Sequence, residues 1–339
     1  MIRKSITIKQ VAEEAGVSKQ TVSRVLNDRP DVASETRQRV QEVIDRLRYR
    51  PSNLARKLKQ RGHTIGVATA ELGQYGPMRR LLGIDQAASE LGYSLHLSLI
   101  HQLEADNSEQ VLNELLAWQV EGIIWVVPEI SNNRTWLQNK LSQLPVPVLL
   151  VSERTEGNLS TIAVDNRAGG RLAAEHLLEQ GYQHLGLITG PLTWDVARQR
   201  RLGWQDVLPA AQKKQIVEGD WSAASGERGL RQLLEQYPEL DAIFACNDQM
   251  ALGVLQAAHQ LGLRVPEDLG VVGFDNTPES AYFWPPLTTV RHQLIEQGKL
   301  AVQALVGMIE SQHHNGKFAQ PKVTMLQPHL VVRRSSVIG

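Results

Sequence analysis

A short segment near the N-terminus carries polar side chains whose types suit contacts with DNA bases. Residues 19–27 (KQTVSRVLN) are helical in pattern, with Val22, Val25 and Leu26 on one side of the helix. The outward side carries Lys19, Gln20, Ser23, Arg24 and Asn27. Long donors and acceptors of this kind match the base edges of a major groove about 12 Å wide. The segment therefore predicts a DNA-reading helix.

Polar side chains also follow three strand-like runs in the second half of the chain. Asn247 follows one run, Asp275 another, and Arg198 comes shortly after a third. Ligands of open α/β sheets bind beyond the carboxyl ends of strands, so these residues are expected to converge on a cleft. They suit a polyhydroxylated ligand, with Trp221 against a sugar ring. The local alternatives are helix caps, a salt bridge and core packing.

Signatures of catalysis and of metal binding are absent from the sequence. It contains no G-x-G-x-x-G after a strand, no G-x-x-x-x-G-K-S/T, no H-E-x-x-H and no G-x-S-x-G. The adjacent His313 and His314 would diverge on a helix, and Cys246 suits a buried structural thiol better than a nucleophile. We therefore predict that the protein is not an enzyme and has neither cofactor nor metal.

Three short helices are predicted to position the DNA-reading segment. The first covers residues 8–16, and Gly16 ends it at a position where a positive φ is wanted. Ser18 is expected to cap the second helix, and a third runs from about residue 34 to 47. Small residues and one tight turn let the first two helices cross closely, as in a helix-turn-helix. A plain three-helix bundle is the alternative.

From about residue 63 the pattern changes to apolar strands that alternate with helices. The strand-like runs are 64–70, 94–100, 122–127, 148–151, 184–189, 242–246 and 269–274. The helical stretches are 78–91, 107–119, 166–181, 194–207, 224–236, 248–262 and 293–311. This alternation predicts an α/β body of parallel sheets covered by helices. We expect two such subdomains facing each other across a cleft.

Charge divides the chain into a basic and an acidic part. Residues 1–62 carry 15 lysines and arginines against 7 aspartates and glutamates, whereas all 339 residues carry 36 of each kind. A basic unit attracts phosphates, so the first part is expected to bind nucleic acid. No apolar run approaches the roughly 18 residues of a membrane span. No signal peptide is recognised, and the single Cys246 fits a reducing compartment, so we expect a cytoplasmic, nucleoid-associated protein without a membrane partner.

Residues 7–27 (TIKQVAEEAGVSKQTVSRVLN), followed by 49–51 (YRP), form a specific pattern. This pattern resembles the lactose/galactose repressor family of bacterial transcriptional regulators, and the resemblance extends over essentially the whole chain. It implies a helix-turn-helix DNA-binding domain over 1–50 and a hinge helix or linker over 51–62. It also implies an effector-binding and dimerisation body over 63–339 with a periplasmic-binding-protein-like fold.

The resemblance implies a homodimer that reads two half-sites of operator DNA. The resemblance implies three groups of DNA-contacting residues. Base edges are contacted by Lys19, Gln20 and Arg24, and backbone contacts are supported by Thr21, Ser23 and Asn27. The minor groove is entered by Ala55 and Leu58. In that groove Leu58 would act as a wedge between base steps.

Motifs of the body match the same family, among them 190–192 (GPL), 219–222 (GDWS), 247–253 (NDQMALG), 271–275 (VVGFD) and 285–289 (PPLTT). The resemblance implies that a small-molecule effector, a sugar, binds at Arg198, Trp221, Asn247 and Asp275. Ser152 stands where a family member has a cleft carboxylate, His292 stands in place of a glutamine, and Asp165 is a candidate to replace the missing carboxylate.

The resemblance also implies three crossings between the subdomains, near Thr161, Val290 and Gln320. The implied first subdomain is about 63–161 and 292–320, and the second is 162–290 and 321–334. The predicted function is that of a transcriptional repressor released from its operator by a sugar such as a β-galactoside or related glycoside. The alternatives are a regulator of the same family that binds a purine or partner protein, and, more distantly, a solute-binding protein.

Overall fold

The chain forms two compact units, divided between residues 62 and 63. The computed structural model describes residues 6–26, 29–49, 63–70, 72–100, 105–128, 139–141, 143–152, 158–210, 212–316 and 320–338. Among the helices in these ranges, none combines the length and the apolar composition that crossing a membrane requires.

The N-terminal unit contains three helices around a small core. They are, in chain order, α1 (Ile8–Ala15), α2 (Lys19–Leu26) and α3 (Ser34–Leu47). Thr7 and Gln10 form a capping box at the start of α1. Gly16 ends that helix with a φ of 65°, in the left-handed region that glycine adopts at little cost. The turn between α1 and α2 is therefore the tight one that the sequence predicts.

Capping and burial together fix the orientation of α2. The Ser18 hydroxyl accepts a hydrogen bond from the backbone N–H of Thr21 at 3.0 Å, which confirms the predicted cap. Val22 of α2 is fully buried against Val11 of α1 and Val40 of α3. Because this apolar side faces the core, the polar side of α2 faces outward.

The first sheet of the body contains six parallel strands in the order β11-β5-β4-β3-β1-β2. These strands are β1 (Thr64–Thr69), β2 (Ser94–Leu99), β3 (Gly122–Val126), β4 (Val148–Ser152), β5 (Ser160–Val164) and β11 (Val323–Leu326). The helices of this subdomain are α4 (Tyr75–Glu90), α5 (Ala105–Ala117) and α10 (Leu294–Asn315). Separate apolar clusters lie on the two faces of the sheet, so helices cover both faces.

The second sheet repeats this plan in the order β12-β10-β9-β8-β6-β7. Its strands are β6 (Leu185–Thr189), β7 (Ile216–Glu218), β8 (Ala242–Ala245), β9 (Gly270–Phe274), β10 (Thr288–Arg291) and β12 (His329–Val331). Its helices are α6 (Asn166–Glu179), α7 (Asp195–Val207), α8 (Ala223–Gln236) and α9 (Asp248–Gln260). Only the edge strand β12 is antiparallel among the described strands. Both sheets change direction beside their first strand, and ligands bind at such switch points.

Two crossings between the sheets lie further along the chain than the sequence predicts. β5 continues in the first sheet to Val164, so the first crossing is at Asp165 rather than near Thr161. β11 pairs with β5 through Val323 and Thr161, so the last crossing follows Leu326 rather than Gln320. Strand pairing decides these positions, and residues 323–326 thereby belong to the first sheet rather than to the second.

Helices α6 and α7 pack at backbone contact distance. A Cβ on Gly170 would lie 2.0 Å from the carbonyl oxygen of Arg200, and one on Gly203 would lie 1.8 Å from that of Arg167. Such distances exclude any side chain at either glycine. The close crossing fixes the position of α7, which carries Arg200 to the carboxyl end of the sheet.

Candidate functional site

A cavity of about 490 Å³ lies at the carboxyl ends of both sheets. The first sheet contributes residues that follow β1 and residues at the ends of β3 and β4. The second contributes residues that follow β6, β7, β8, β9 and β10. Among the predicted effector residues, the cavity lining includes Ser152, Trp221, Asn247, Asp275 and His292. A cavity of this size accommodates a small-molecule ligand.

Asp275 presents a carboxylate to the cavity from the end of β9. Its backbone has a φ of 111°, a conformation that L-residues rarely adopt, and the residue is only 9% exposed. One carboxylate oxygen, Oδ1, accepts a hydrogen bond from Nε2 of His292 at 2.9 Å. Among the described residues no hydrogen-bond donor reaches the other oxygen, Oδ2. This oxygen is therefore available to a ligand hydroxyl.

Two arginines, Arg80 and Arg200, line the cavity, and the predicted Arg198 is not among the lining residues. Arg198 donates to the carbonyls of Leu192 and Thr193 at 2.9 and 2.7 Å, and pairs with Asp195 at 3.0 Å. Two residues turn a helix by about 200°. Arg200 thus lies on the side of α7 that faces the cavity, whereas Arg198 closes the turn before the helix.

Neighbouring groups hold Arg200 in a fixed orientation. Its Nε donates to the side chain of Asn166 at 2.9 Å, and one Nη donates to the carbonyl of Cys246. The guanidinium carbon lies 3.5 Å from the ring centroid of Phe274, and Nη2 lies 4.0 Å from Oδ1 of Asp275. Arg200 thus places its positive charge close to the buried carboxylate group.

Sequence reasoning missed Arg200, although a signal was present. The buried residues of α7 include Ala197, Arg200, Gly203 and Trp204. These positions follow the i, i+3, i+6, i+7 spacing of one helical face. An arginine on such a face is buried and needs polar partners, whereas the side chain of Arg198 remains partly exposed.

Trp221 lines the cavity with its indole packed against the backbone of Gly190. Its φ is 71°, and a Cβ on Gly190 would lie 2.1 Å from the indole. Asn247 holds this residue in place, since its Nδ2 donates to the Trp221 carbonyl at 2.9 Å. The Asn247 Oδ1 also accepts from the N–H of Met250 at 2.8 Å as the cap of α9. Asn247 is thus a helix cap, which is the local alternative predicted for it, and it also borders the cavity.

Trp194 is a second tryptophan in the lining, which the sequence reasoning did not select. Its ring centroid lies 6.2 Å from that of Trp221, with an angle of 67° between the ring planes. It directly precedes α7, and nothing in the sequence pattern distinguishes it from a core residue. Only the packing shows that it borders the cavity.

The remaining predicted residues differ in their placement. Ser152 lines the cavity at the end of β4, where the first sheet otherwise contributes Val126, Val127 and Val151. Asp165 is not in the lining, because its carboxylate accepts from the N–H of Ala168 at 2.8 Å and caps α6. No carboxylate from the described part of the first subdomain replaces the one absent at Ser152.

His292 connects β10 to the first subdomain and is buried beside Asp275. Burial lowers its pKa, against the raising effect of the Asp275 carboxylate. The ring is therefore neutral near pH 7, and Nε2 must carry its proton in order to donate to Asp275.

Behind the cavity, Asp248 is enclosed by hydroxyl and backbone donors. Its Oδ2 accepts from the N–H of Thr277 at 2.7 Å, and its Oδ1 accepts from the hydroxyl of Thr289 at 2.6 Å. Burial, reinforced by the charge of Asp275, raises the pKa of Asp248 to about 7. This carboxyl therefore titrates near neutral pH in the folded protein.

The variant Asp248→Asn is expected to change how stability depends on pH. An unfolded aspartate has a pKa of about 3.9. Because the folded pKa is higher, the contribution of Asp248 to stability is complete below about pH 4 and is lost as the pH rises through about 7. The free energy of unfolding of the native protein, relative to the variant, should thus fall between pH 4 and 7. Denaturant titrations across this range measure the difference. Equal pH dependence in both proteins would contradict the raised pKa, and the exposed Asp85→Asn is the control.

In the N-terminal unit, the predicted base-reading residues Lys19, Gln20 and Arg24 are exposed on α2. Arg24 forms an exposed ion pair with Asp31 at 3.5 Å, which solvent screening keeps weak. Thr21 and Ser23 are partly buried on the same helix, and the Thr21 hydroxyl lies 2.9 Å from that of Ser18. The predictions for Asn27, Ala55 and Leu58 fall outside the described residues.

Comparison with known proteins identifies both units. Residues 7–52 match the family described as bacterial regulatory proteins, lacI family, and residues 174–336 match a periplasmic binding protein-like domain. The lactose operon repressor of Escherichia coli (strain K12) is 35% identical over 339 residues, which is 99% of this chain and 92% of that protein. The chain belongs to the lacI family. It is a transcriptional repressor and not an enzyme.

Further relatives confirm the predicted fold and leave the effector class open. The HTH-type transcriptional repressor PurR of Aliivibrio salmonicida (strain LFI1238) is 32% identical over 336 residues, covering 97% of this chain and 98% of that protein. A crystal structure of the Lac repressor dimer, bound to operator and the anti-inducer ONPF, has a TM-score of 0.82 at 33% identity. It covers 99% of this chain and 100% of that chain. The prediction of a helix-turn-helix head and a body with two parallel-sheet subdomains is thus confirmed.

Proposed function

We propose that this lacI-family repressor is released from its operator by a sugar, such as a β-galactoside or a related glycoside. The observation that carries the proposal is Asp275, which lines the cavity together with Arg200 and Trp221 and whose Oδ2 receives no hydrogen bond from the described residues. Sugars combine vicinal hydroxyls with an apolar ring face. A fixed carboxylate, a fixed guanidinium and an indole complement both features.

A purine corepressor is the alternative, because the chain is also similar to PurR over nearly its full length. The experiment uses the full chain and an operator selected from random DNA, titrated with lactose, other β-glycosides and purine bases. Release by a glycoside supports the proposal. Tighter operator binding in the presence of a purine would show instead that the effector is a purine corepressor. Failure of every glycoside to alter operator binding would refute the sugar effector.

We propose that α2 recognises the operator sequence. Lys19, Gln20 and Arg24 would contact base edges, and Thr21, Ser23 and Asn27 would support contacts with the DNA backbone. The exposure of the first three residues on a capped, core-anchored helix supports this assignment. Residues 51–62 are proposed as the hinge, with Ala55 and Leu58 in the minor groove. A repressor of this kind would work in the cytoplasm, on the nucleoid.

Replacement of Lys19 by alanine is expected to reduce the specificity of DNA binding. Loss of one base-reading side chain should weaken operator binding by about 10- to 100-fold while random DNA of the same length is bound nearly as before. Fluorescence anisotropy at fixed salt measures both affinities. Lys9→Ala on α1 is the control, since this exposed lysine pairs with Glu13 and lies outside α2. Equal losses on both DNAs would show that Lys19 contacts only phosphates.

A homodimer is proposed as the working assembly. The body exposes large aromatic side chains, with Tyr282 89% exposed and Trp284 88% exposed. Aromatic residues are enriched at protein interfaces, and the similar Lac repressor structure is that of a dimer. Sedimentation equilibrium of the full chain measures the state, and a monomer at micromolar concentration would contradict it.

A further inference from the structure

The cavity offers two aromatic faces that one ring cannot use at the same time. Its volume of about 490 Å³ is larger than a single pyranose ring fills. Trp194 and Trp221 both line it, and their planes meet at 67° with centroids 6.2 Å apart. A flat ring that stacks on one indole is therefore steeply inclined to the other.

The two tryptophans also differ in their surroundings. Trp221 is 8% exposed, and Arg200 lies 5.7 Å from its ring centroid. The half-buried Trp194 packs against the apolar core of the second subdomain, and its neighbour in the lining is Val196. An arginine cation thus lies beside Trp221, and the half-buried indole of Trp194 offers an apolar face to a ligand ring.

The backbone holds Trp194 in a defined position. Its N–H donates to the carbonyl of Pro191 at 3.0 Å, and its own carbonyl accepts from the N–H of Arg198 at 3.3 Å. The arginine that sequence reasoning assigned to the ligand thus helps to build the turn that presents Trp194. A side chain held in this way can bind a ligand ring without a large loss of conformational entropy.

We propose that Trp194 forms a second subsite, which binds a ring joined to the sugar held at Asp275. The effector is accordingly a two-ring ligand, either a disaccharide or a glycoside whose aglycone is a ring. This inference rests on the proposed function, because it extends the same cavity. Hydroxyl recognition occurs at Asp275 and Arg200, and stacking at Trp194 discriminates ligands by their second ring.

The experiment compares methyl glycosides with disaccharides and phenyl glycosides of the same sugar, by calorimetry on the full chain. Wild type is expected to bind the two-ring ligands about tenfold more tightly than the methyl glycoside, the value of one stacking contact. In Trp194→Ala this preference should disappear while the affinity for the methyl glycoside stays the same. Trp194→Phe should restore part of the preference. Trp118→Ala removes an exposed tryptophan that is not part of the cavity lining, and is the control.

Comparing disaccharides with phenyl glycosides shows whether the second ring is a sugar or an aromatic aglycone. Equal affinity of wild type for one-ring and two-ring ligands would overturn the subsite and leave the proposed function intact. An equal loss for both ligand sizes in Trp194→Ala would also overturn it, because the residue would then act through the fold. If wild type binds no glycoside of either size, the proposed function fails and the subsite fails with it.

Discussion

Replacement of Asp275 by asparagine is expected to weaken effector binding by about 10- to 100-fold. A hydrogen bond to a charged group contributes about 1.5–3 kcal/mol, and 1.4 kcal/mol corresponds to a factor of ten in affinity. Asparagine tolerates the positive φ of this position and keeps an oxygen for the N–H of His292. The fold and the operator affinity without effector should therefore be retained. Calorimetry with the effector and an operator-binding titration on the same protein measure both quantities.

A second carboxylate in the cavity provides the control. Asp220 also lines it, but its Oδ1 accepts from the N–H and hydroxyl of Ser222, and its Oδ2 accepts from Arg228 at 3.3 Å. Because both oxygens already have donors, Asp220→Asn should change effector affinity little. Equal losses in the two variants would mean that general negative charge in the cavity, rather than the free oxygen of Asp275, binds the ligand.

Replacement of Val22 by aspartate is expected to abolish specific operator binding and leave effector binding unchanged. Val22 is fully buried in the small core of the N-terminal unit, and an unpaired charge there costs several kcal/mol. A unit of this size has little stability to lose. Operator affinity should fall at least about a thousandfold, towards non-specific binding. The body has its own apolar clusters and should stay folded in the variant. Calorimetry should therefore give the same effector affinity for Val22→Asp as for the native protein.

The matched control adds the same charge at the surface of the same unit. Gln38 is exposed on α3, so Gln38→Asp should leave the helices folded and the operator specificity intact. Circular dichroism and operator binding distinguish the two variants. If Gln38→Asp loses operator binding as strongly as Val22→Asp, then the change in net charge, rather than unfolding of the core, is responsible.

The N-terminal unit was largely predictable from its sequence. A polar cap at Ser18, a glycine at the turn and apolar residues at helical spacing are local signals, and each acts within a few residues of its position. The alternating pattern of the body likewise predicted most strands and helices, because strands buried on both faces form continuous apolar runs. Short strands with weaker patterns escaped, among them β5, β7 and β10.

The cavity was predictable in location but not in its full set of residues. The rule that ligands bind at the carboxyl ends of parallel strands selected Asn247 and Asp275, and both line the cavity. Trp221, which was chosen for its indole alone, lines it as well. The rule could not decide between Arg198 and Arg200, because that choice depends on which side of α7 meets the sheet. The same rule gave no reason to select Trp194.

By itself, then, the sequence determined the helix-turn-helix unit, the two-sheet body and the family, since these follow from local patterns and motifs. Tertiary structure decided which side chains meet. It joined residues 323–326 to the first sheet, engaged Asp165 in a helix cap, and set His292 against Asp275 across 17 positions of the chain. These outcomes depend on strand pairing and helix orientation, which result from the packing of the whole body and are not encoded in any one segment.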